Sequence, residues 1–354
     1  MNSILSILLI SLIQLFSSPE DIEIVFAGDA MQHGPQIQSA LQPDGSYDYS
    51  RCFELVKEEI SSADFAAVNL ECPLGGKPYA GYPAFSAPDD YAQALKDAGF
   101  DMFLTANNHT LDRRDKGAVR TLHVLDSLKI PHIGTYFNEL DRDRKMPYIV
   151  DIKGYTIAFL GYTYGTNGIP VQNDFVVNHI DREKMVEDIH NARNLGADMV
   201  CVMLHWGVEY ALKPNKTQKE LADFLIAEGV DMIIGGHPHV VQPYEMRFNP
   251  KTGKNALIVY SLGNFISNQN DTNSRGGAMV RVKIGALGMS VVIKEATYSL
   301  MFVQKPHYGA KYYQLIPADR PELIKPHSKQ QFNGFLKNAR DLFDKYNVGV
   351  KERH

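Results

Sequence analysis

The 354-residue sequence is 44% hydrophobic and 22% charged, enough to bury one large core or a core with an appended segment. Its net charge of -5, with 36 Lys and Arg against 41 Asp and Glu, leaves no basic footprint and excludes a nucleic-acid partner. Cys52, Cys72 and Cys201 are too few and odd in number for a disulfide framework, so the fold rests on its core.

The amino terminus opens on an apolar run, ILSILLISLIQLF from Ile4 to Phe16, followed by SSPEDIE. The run is shorter than the roughly 20 residues a spanning helix needs. Residues 1–18 therefore read as a signal peptide or membrane anchor, which would export the protein to the periplasm or cell surface. No Lys or Arg precedes the run, and a helix lying on the core stays open as an alternative.

From residue 22 onward strand and helix signals alternate. IEIVFAGDAM reads as a first strand that ends near Asp29. Four later stretches share one plan: Ser61 to Glu71, Ala98 to His109, Leu195 to Trp206, and Glu228 to His239. Each follows an amphipathic stretch, turns at a small residue with an Asp soon after, runs apolar and stops on a polar residue. Thr217 with Glu220 suggests a capping box for the helix before the last of these, and Pro88 suits the first turn of another. Gly99, Gly196 and Gly229 fit as helix stops. Runs this apolar suit strands covered on both faces, which implies a layered α/β sheet.

In such sheets the loops at the strand carboxyl ends gather along one edge, where ligands bind. The polar residues falling there are Asp29, Glu71, Asn108, His109, His205, His237 and His239. A single histidine at a strand end is more often a surface residue than a ligand. Five strand ends each choosing a ligand type point instead to a metal site. Mixed carboxylate, amide oxygen and imidazole suits manganese, iron or zinc better than calcium or magnesium. Strand alternation turns Cys72 away from the face of Glu71, which makes it a buried structural thiol.

Past Ile284 the sequence gives a strand, a proline-containing loop and a terminal helix with Phe332, Phe335, Leu336 and Leu342 on one side. Residues 285–354 are expected to pack on the main domain, because so short a segment makes a marginal core alone.

Six motifs in order, GDAM, NLECPL, TANNHTLD, LHWGVEY, GGHPHV and SLGNF, resemble the signature set of the CapA family of poly-γ-glutamate capsule biosynthesis proteins, within the calcineurin-like metallophosphoesterase superfamily. The resemblance covers residues 22–284 and implies a four-layer αββα sandwich with a metal site at the strand carboxyl ends. It further implies two divalent metal ions. Glu71 would bridge them, Asp29 and His239 would hold the first, and Asn108, His205 and His237 the second. Two departures bear on the first ion: Met31 stands where the superfamily has a histidine, and Glu71 where it has an aspartate. Asn69, on the face of Glu71, and His33 are candidate supplements.

Such a site supports hydrolysis, since two metals polarise a substrate and lower the pKa of water. His109 would donate a proton to the leaving group, with Asp112 either orienting it or capping the next helix. Trp206, Glu209, Asn264 and Arg275 are candidates for substrate binding, although Trp206 also reads as core and Arg275 as a solvated surface residue. The turn-rich segment Thr166 to Asp174 reads as a lid or a simple connection. The expected function is a CapA-like hydrolase of phosphoester or amide bonds, acting on an exported anionic polymer or a phosphoester alongside other capsule-assembly proteins. The alternatives are a non-catalytic accessory that binds metal and polymer, and a structural metal protein. The sequence does not separate the first two.

Overall fold

The computed structural model describes residues 20–307 and 311–353. The Ile4 to Phe16 run therefore lies outside the described residues. Two sheets stack face to face. The first runs, in spatial order, Gln314–Pro317, Ser290–Gln304, Gly276–Leu287, Ile22–Ala30, Phe65–Leu70, Met102–Leu104 and His132–Ile133, with Asn264–Ile266 paired to the end of Ile22–Ala30. The second runs Tyr244–Asn249, Lys254–Val259, Met232–Gly236, Met199–His205, Tyr155–Thr163 and Tyr148–Ile152.

Alternation along each strand divides the apolar residues among layers. Ile22, Ile24 and Phe26 face the space between the sheets together with Met199, Cys201 and Met203. Val25, Val68 and Phe103 face outward onto Phe53, Tyr91 and Leu95. Val200, Val202 and Leu204 face the other way, onto Met185, Ile189, Leu221 and Leu225 of the helices Arg182–Asn194 and Lys216–Ala227. The result is a four-layer αββα sandwich, as expected.

The Asp that recurs before four of the strands has a definite task. The side chains of Asp64, Asp101, Asp198 and Asp231 each accept the amide of the neighbouring strand, from Glu23, Ala66, Thr156 and Val200 respectively, all at 2.8 Å. The backbone amide of each Asp returns a bond to the same residue's carbonyl, at 2.8–3.0 Å. This reciprocal pair fixes where each parallel strand begins against its neighbour, and hence which residues reach the opposite edge.

Gly99, Gly196 and Gly229 take positive φ (113°, 89° and 94°) just past helices, as expected for stops. The capping box is different from the one the sequence suggested. Asn215 and Gln218, and not Thr217 and Glu220, exchange the two bonds at 2.8 and 3.0 Å, because the helix starts at Lys216. Pro88 is the N-cap of the helix Asp89–Asp97.

The strand Gly276–Leu287 crosses the 284/285 boundary and pairs along its length with Ser290–Gln304. The helix Lys329–Tyr346 closes one end of the space between the sheets with Phe332, Phe335, Leu336, Ala339, Leu342 and Phe343. No helix among the described residues is long and apolar enough to cross a membrane.

Candidate metal centre

The inward alternation carries straight into the site. Phe65 and Ala67 face the inner core, so Asn69 and Glu71 continue on that side, while Leu70 and Cys72 join the outer cluster. Met199, Cys201 and Met203 likewise lead to His205. The first strand would break this rule, since Asp29 shares the parity of outward-facing Val25 and Ala27. A bulge corrects it: Ala27 pairs with Val68 but Asp29 with Asn69, so Gly28 is the extra residue. Only glycine fits there, because an added Cβ would sit 2.0 Å from the Gly263 carbonyl oxygen.

The loop after Met232–Gly236 bends through two left-handed residues, His237 (φ 95°) and His239 (φ 58°), with Pro238 between them. Such a conformation costs on the order of 1–3 kcal/mol per residue and persists only where neighbours hold it. The His237 amide donates to Asp29 Oδ2 at 3.1 Å and the Tyr210 amide to the Pro238 carbonyl at 2.8 Å. Glycine at 236 is also needed, since a Cβ there would lie 2.5 Å from Asp29 Oδ1.

Six residues expected to hold metal thereby meet. Asn69 Nδ2 donates to Asp29 Oδ1 at 2.8 Å and lies 3.2 Å from His205 Nδ1, whose Nε2 is 2.9 Å from Asn108 Oδ1. His239 Nδ1 is 3.1 Å from Asp29 Oδ2. Glu71 Oε1 lies 3.5 Å from His205 Nε2 and 3.7 Å from His239 Nε2. Two ligand groups share that carboxylate, Asp29 with Glu71 and His239, and Glu71 with His205 and His237, each with ligand atoms within 4.8 Å of one another.

The electrostatics fit a cation. Glu71 is fully buried, yet neither carboxylate oxygen has a hydrogen-bond partner, and His237 Nδ1 is likewise buried and unpartnered. Burial and the Asp29 charge push the Glu71 carboxyl well above its ordinary range. Burial also works to raise Asp29, but the hydrogen bond and charge of His239 outweigh it and hold that carboxyl low. Burial and the neighbouring histidines hold His205 well below its usual value and His237 at about 3. Two adjacent carboxylates and the neutral imidazoles of His205 and His237 are a donor set that a divalent ion satisfies, whereas protein groups alone leave Glu71 stranded.

His109 Nδ1 lies 2.8 Å from Asp112 Oδ2, which also accepts the Phe85 amide at 2.8 Å, and the Phe85 ring stands edge-on to His109 at 4.6 Å. Asp112 precedes the helix Arg114–Ser127 without capping it, since Arg113 is the N-cap. His33 Nδ1 is 3.1 Å from Gln36 Oε1 and belongs to none of the ligand groups. Met31 packs in the outer core.

The expected substrate-binding residues divide. Glu209 is exposed at the mouth, grouped with His237 and His239. Asn264 is buried opposite Asp29, its Nδ2 bonded to Gln269 Oε1 and the Ser274 carbonyl, its Oδ1 unpartnered. Two expectations are corrected. Trp206 is core: it is 2% exposed, stacks on Tyr260 and donates from Nε1 to the Tyr260 carbonyl at 2.9 Å. Arg275 is not solvated, and its guanidinium is engaged inside the protein. It is buried over the Phe302 ring and donates to the Val303 carbonyl at 2.9 Å and to Gln331. The Thr166 to Asp174 segment packs Ile169 and Val171 against the Leu111 and Ala118 cluster.

Two residues near the centre escaped the sequence reading. Tyr164, directly after the strand Tyr155–Thr163, sets its ring 4.6 Å from that of His237. Its position at a strand carboxyl end was the available signal. Asn107 Nδ2 ties Asn69 Oδ1 (3.2 Å) and the Leu70 carbonyl (2.9 Å), and nothing in ANNH distinguishes it from Asn108.

The family model described as bacterial capsule synthesis protein PGA_cap matches residues 23–269. The chain is 28% identical over 284 residues to the capsule biosynthesis protein CapA of Bacillus anthracis, covering 77% of this chain and 66% of that protein. It is 31% identical over 270 residues to the PGA biosynthesis protein CapA of Bacillus subtilis strain 168, covering 75% and 68%. The chain thus spans about two thirds of the length of these relatives. Among solved structures, the NAD nucleotidase NadN of Haemophilus influenzae shares the fold, with TM-score 0.51 and 13% identity over 95% of this chain and 65% of that one. The calcineurin-like phosphoesterase YfkN of Bacillus subtilis gives TM-score 0.46 and 12% identity, over 92% of this chain and 100% of that one.

Proposed function

The chain belongs to the bacterial capsule synthesis protein family PGA_cap, and on that premise we propose that it is a metal-dependent hydrolase acting in synthesis or processing of an exported anionic polymer. The observation that carries the reading is Glu71, a fully buried carboxylate with both oxygens unpartnered between His205 and His239. The polymer is supported by the names of the relatives, a capsule biosynthesis protein and a PGA biosynthesis protein.

In this reading Asp29, Glu71 and His239 would hold one divalent ion, and Glu71, His205 and His237, with Asn108, would hold a second. Manganese, iron or zinc suits these donors. Bound there, the ions would polarise a phosphoester or amide and lower the pKa of water. Asn69 orients Asp29 through its 2.8 Å bond, and Asn107 in turn fixes Asn69. His109 holds the proton for the leaving group, with its Nδ1 engaged by Asp112 so that Nε2 is the nitrogen that exchanges it.

A specific observation favours the second reading, an accessory that binds metal and polymer without turnover. Met31 is buried in the outer core, which leaves the Asp29 side of the centre one imidazole short of the superfamily pattern. Metal analysis of the purified protein, followed by a screen of phosphodiesters, phosphomonoesters and γ-glutamyl peptides, separates the two. Bound metal with turnover supports the hydrolase, bound metal with polymer binding alone supports the accessory, and absence of metal sinks both. Export to the periplasm or cell surface, next to other capsule-assembly proteins, completes the proposal. A mature amino terminus near Ser17 to Ile22 would support cleavage, and an intact terminus in the membrane would support an anchor.

A further inference from the structure

We propose that Glu209 is a third carboxylate ligand at the mouth of the centre, one that an oxyanion of the substrate displaces; this rests on the metal-centre reading above. Glu209, His237 and His239 each offer a ligand atom within 4.8 Å of the others, a grouping distinct from the two that share Glu71. Glu209 is exposed and makes no hydrogen bond or ion pair with any described residue, so nothing in the protein competes for its carboxylate. His237 points to a ligand independently: it is 3% exposed, and its Nδ1 has no partner.

The backbone beside Glu209 is held in place while its side chain is left free. Tyr210 takes φ 63° and donates its amide to the Pro238 carbonyl at 2.8 Å, between the two histidines. Its hydroxyl accepts from Gln269 Nε2 at 3.4 Å, and Gln269 Oε1 accepts from Asn264 Nδ2 at 2.9 Å. Asn264 therefore acts on the mouth through Gln269 and Tyr210, as a positioning residue.

Glu71 and Glu209 differ in the cost of release. A buried carboxylate that leaves a cation is stranded without water, whereas an exposed one is rehydrated at once. Glu209 can thus leave where Glu71 cannot. Like charges exclude one another from a shared ligand position, so a carboxylate or phosphate on the substrate and the Glu209 side chain are alternative occupants. A neutral group competes poorly for that position, and the centre selects substrates that present an oxyanion.

The test is a Co2+ titration of the full chain, read by visible absorbance, on wild type, Glu209→Gln and Glu71→Ala. Inorganic phosphate and γ-glutamyl-glutamate are then titrated separately into the Co2+-saturated proteins. Glu209→Gln should bind Co2+ roughly tenfold or more weakly, with an altered spectrum, and should bind its oxyanion more tightly than wild type. Whichever probe shows that gain identifies the source, phosphate or carboxylate. Unchanged Co2+ affinity and spectrum in Glu209→Gln would overturn ligation by Glu209. Equal oxyanion affinity in both proteins would overturn displacement. A wild type that takes up no more Co2+ than Glu71→Ala would overturn the metal centre itself, a separate failure read before Glu209 is compared. Metal-free Glu209→Gln should unfold near the wild-type temperature, since the side chain makes no hydrogen bond or ion pair to lose.

Discussion

Asn69 donates to Asp29 at 2.8 Å because Gly28 adds one residue to the first strand and turns Asp29 from the outer face to the inner one. Gly28→Ala places a methyl 2.0 Å from the Gly263 carbonyl oxygen, which cannot yield without shifting the backbone. The expected cost is about 1–3 kcal/mol in urea unfolding, together with loss of bound metal as Asp29 swings away. Wild-type metal content in a stable Gly28→Ala protein would show that the bulge does not place Asp29.

The metal-free protein should have two opposed pH limbs. Burial and the Asp29 charge raise the Glu71 carboxyl well above 4.5, so its contribution is full below that value and lost as pH rises through the raised one. Burial and the His239 charge lower His237 from 6.5 to about 3, so stability falls as pH drops through that window, where the unfolded chain takes up the proton first. Glu71→Gln should make the alkaline limb shallower and His237→Gln the acid limb, to which His205 also contributes, in thermal unfolding with chelator present. Added metal should reverse the first effect, since Gln cannot replace a charged ligand. An alkaline limb unchanged in Glu71→Gln would assign it to other groups.

Much of this architecture is legible in the sequence because it repeats. Four apolar runs stop on polar residues, and period-two alternation carries Ala67 to Glu71 and Met203 to His205 on one face. The purpose of the Asp before each run is not legible, since its partner is an amide on another strand, 31 to 42 residues away. The Gly28 bulge leaves no compositional trace beyond the glycine. Arg275 was misread for a related reason: the groups that bury and satisfy it, Val303 and Gln331, lie 28 and 56 residues further along. Local polarity marks a residue as exposed only when no distant segment returns to cover it.

Arg275→Ala should therefore act on stability and leave the site alone. Its guanidinium lies over Phe302 and is hydrogen-bonded to a carbonyl and an amide side chain inside the protein. Removing a charge-assisted set of this kind costs about 1.5–3 kcal/mol, and the Val303 carbonyl loses its side-chain donor. Denaturant unfolding should show the loss, with metal content and KM unchanged below the transition. A raised KM at wild-type stability would restore Arg275 to substrate binding.

His109 separates an enzyme from a binder. Its Nδ1 is engaged by Asp112 at 2.8 Å, and Asp112 is held in turn by the Phe85 amide, so the ring is oriented from behind. If the site hydrolyses its substrate, His109→Ala should keep its metal, because Asn108 is the residue that meets His205, yet lose roughly 100-fold to 10,000-fold in kcat. Asp112→Asn should keep its metal and lower kcat by less than His109→Ala does, since an amide holds the ring through a weaker hydrogen bond than the carboxylate. A binder predicts something else, near-normal polymer affinity in both variants and no turnover to lose. Metal stoichiometry and turnover must be measured on the same preparation. Intact metal with unchanged kcat in His109→Ala would remove the imidazole from the mechanism. Metal loss would show that the ANNH turn had been disturbed, and Asp112→Asn, which leaves that turn's backbone untouched, would then decide the role of the pair through its kcat at intact metal content.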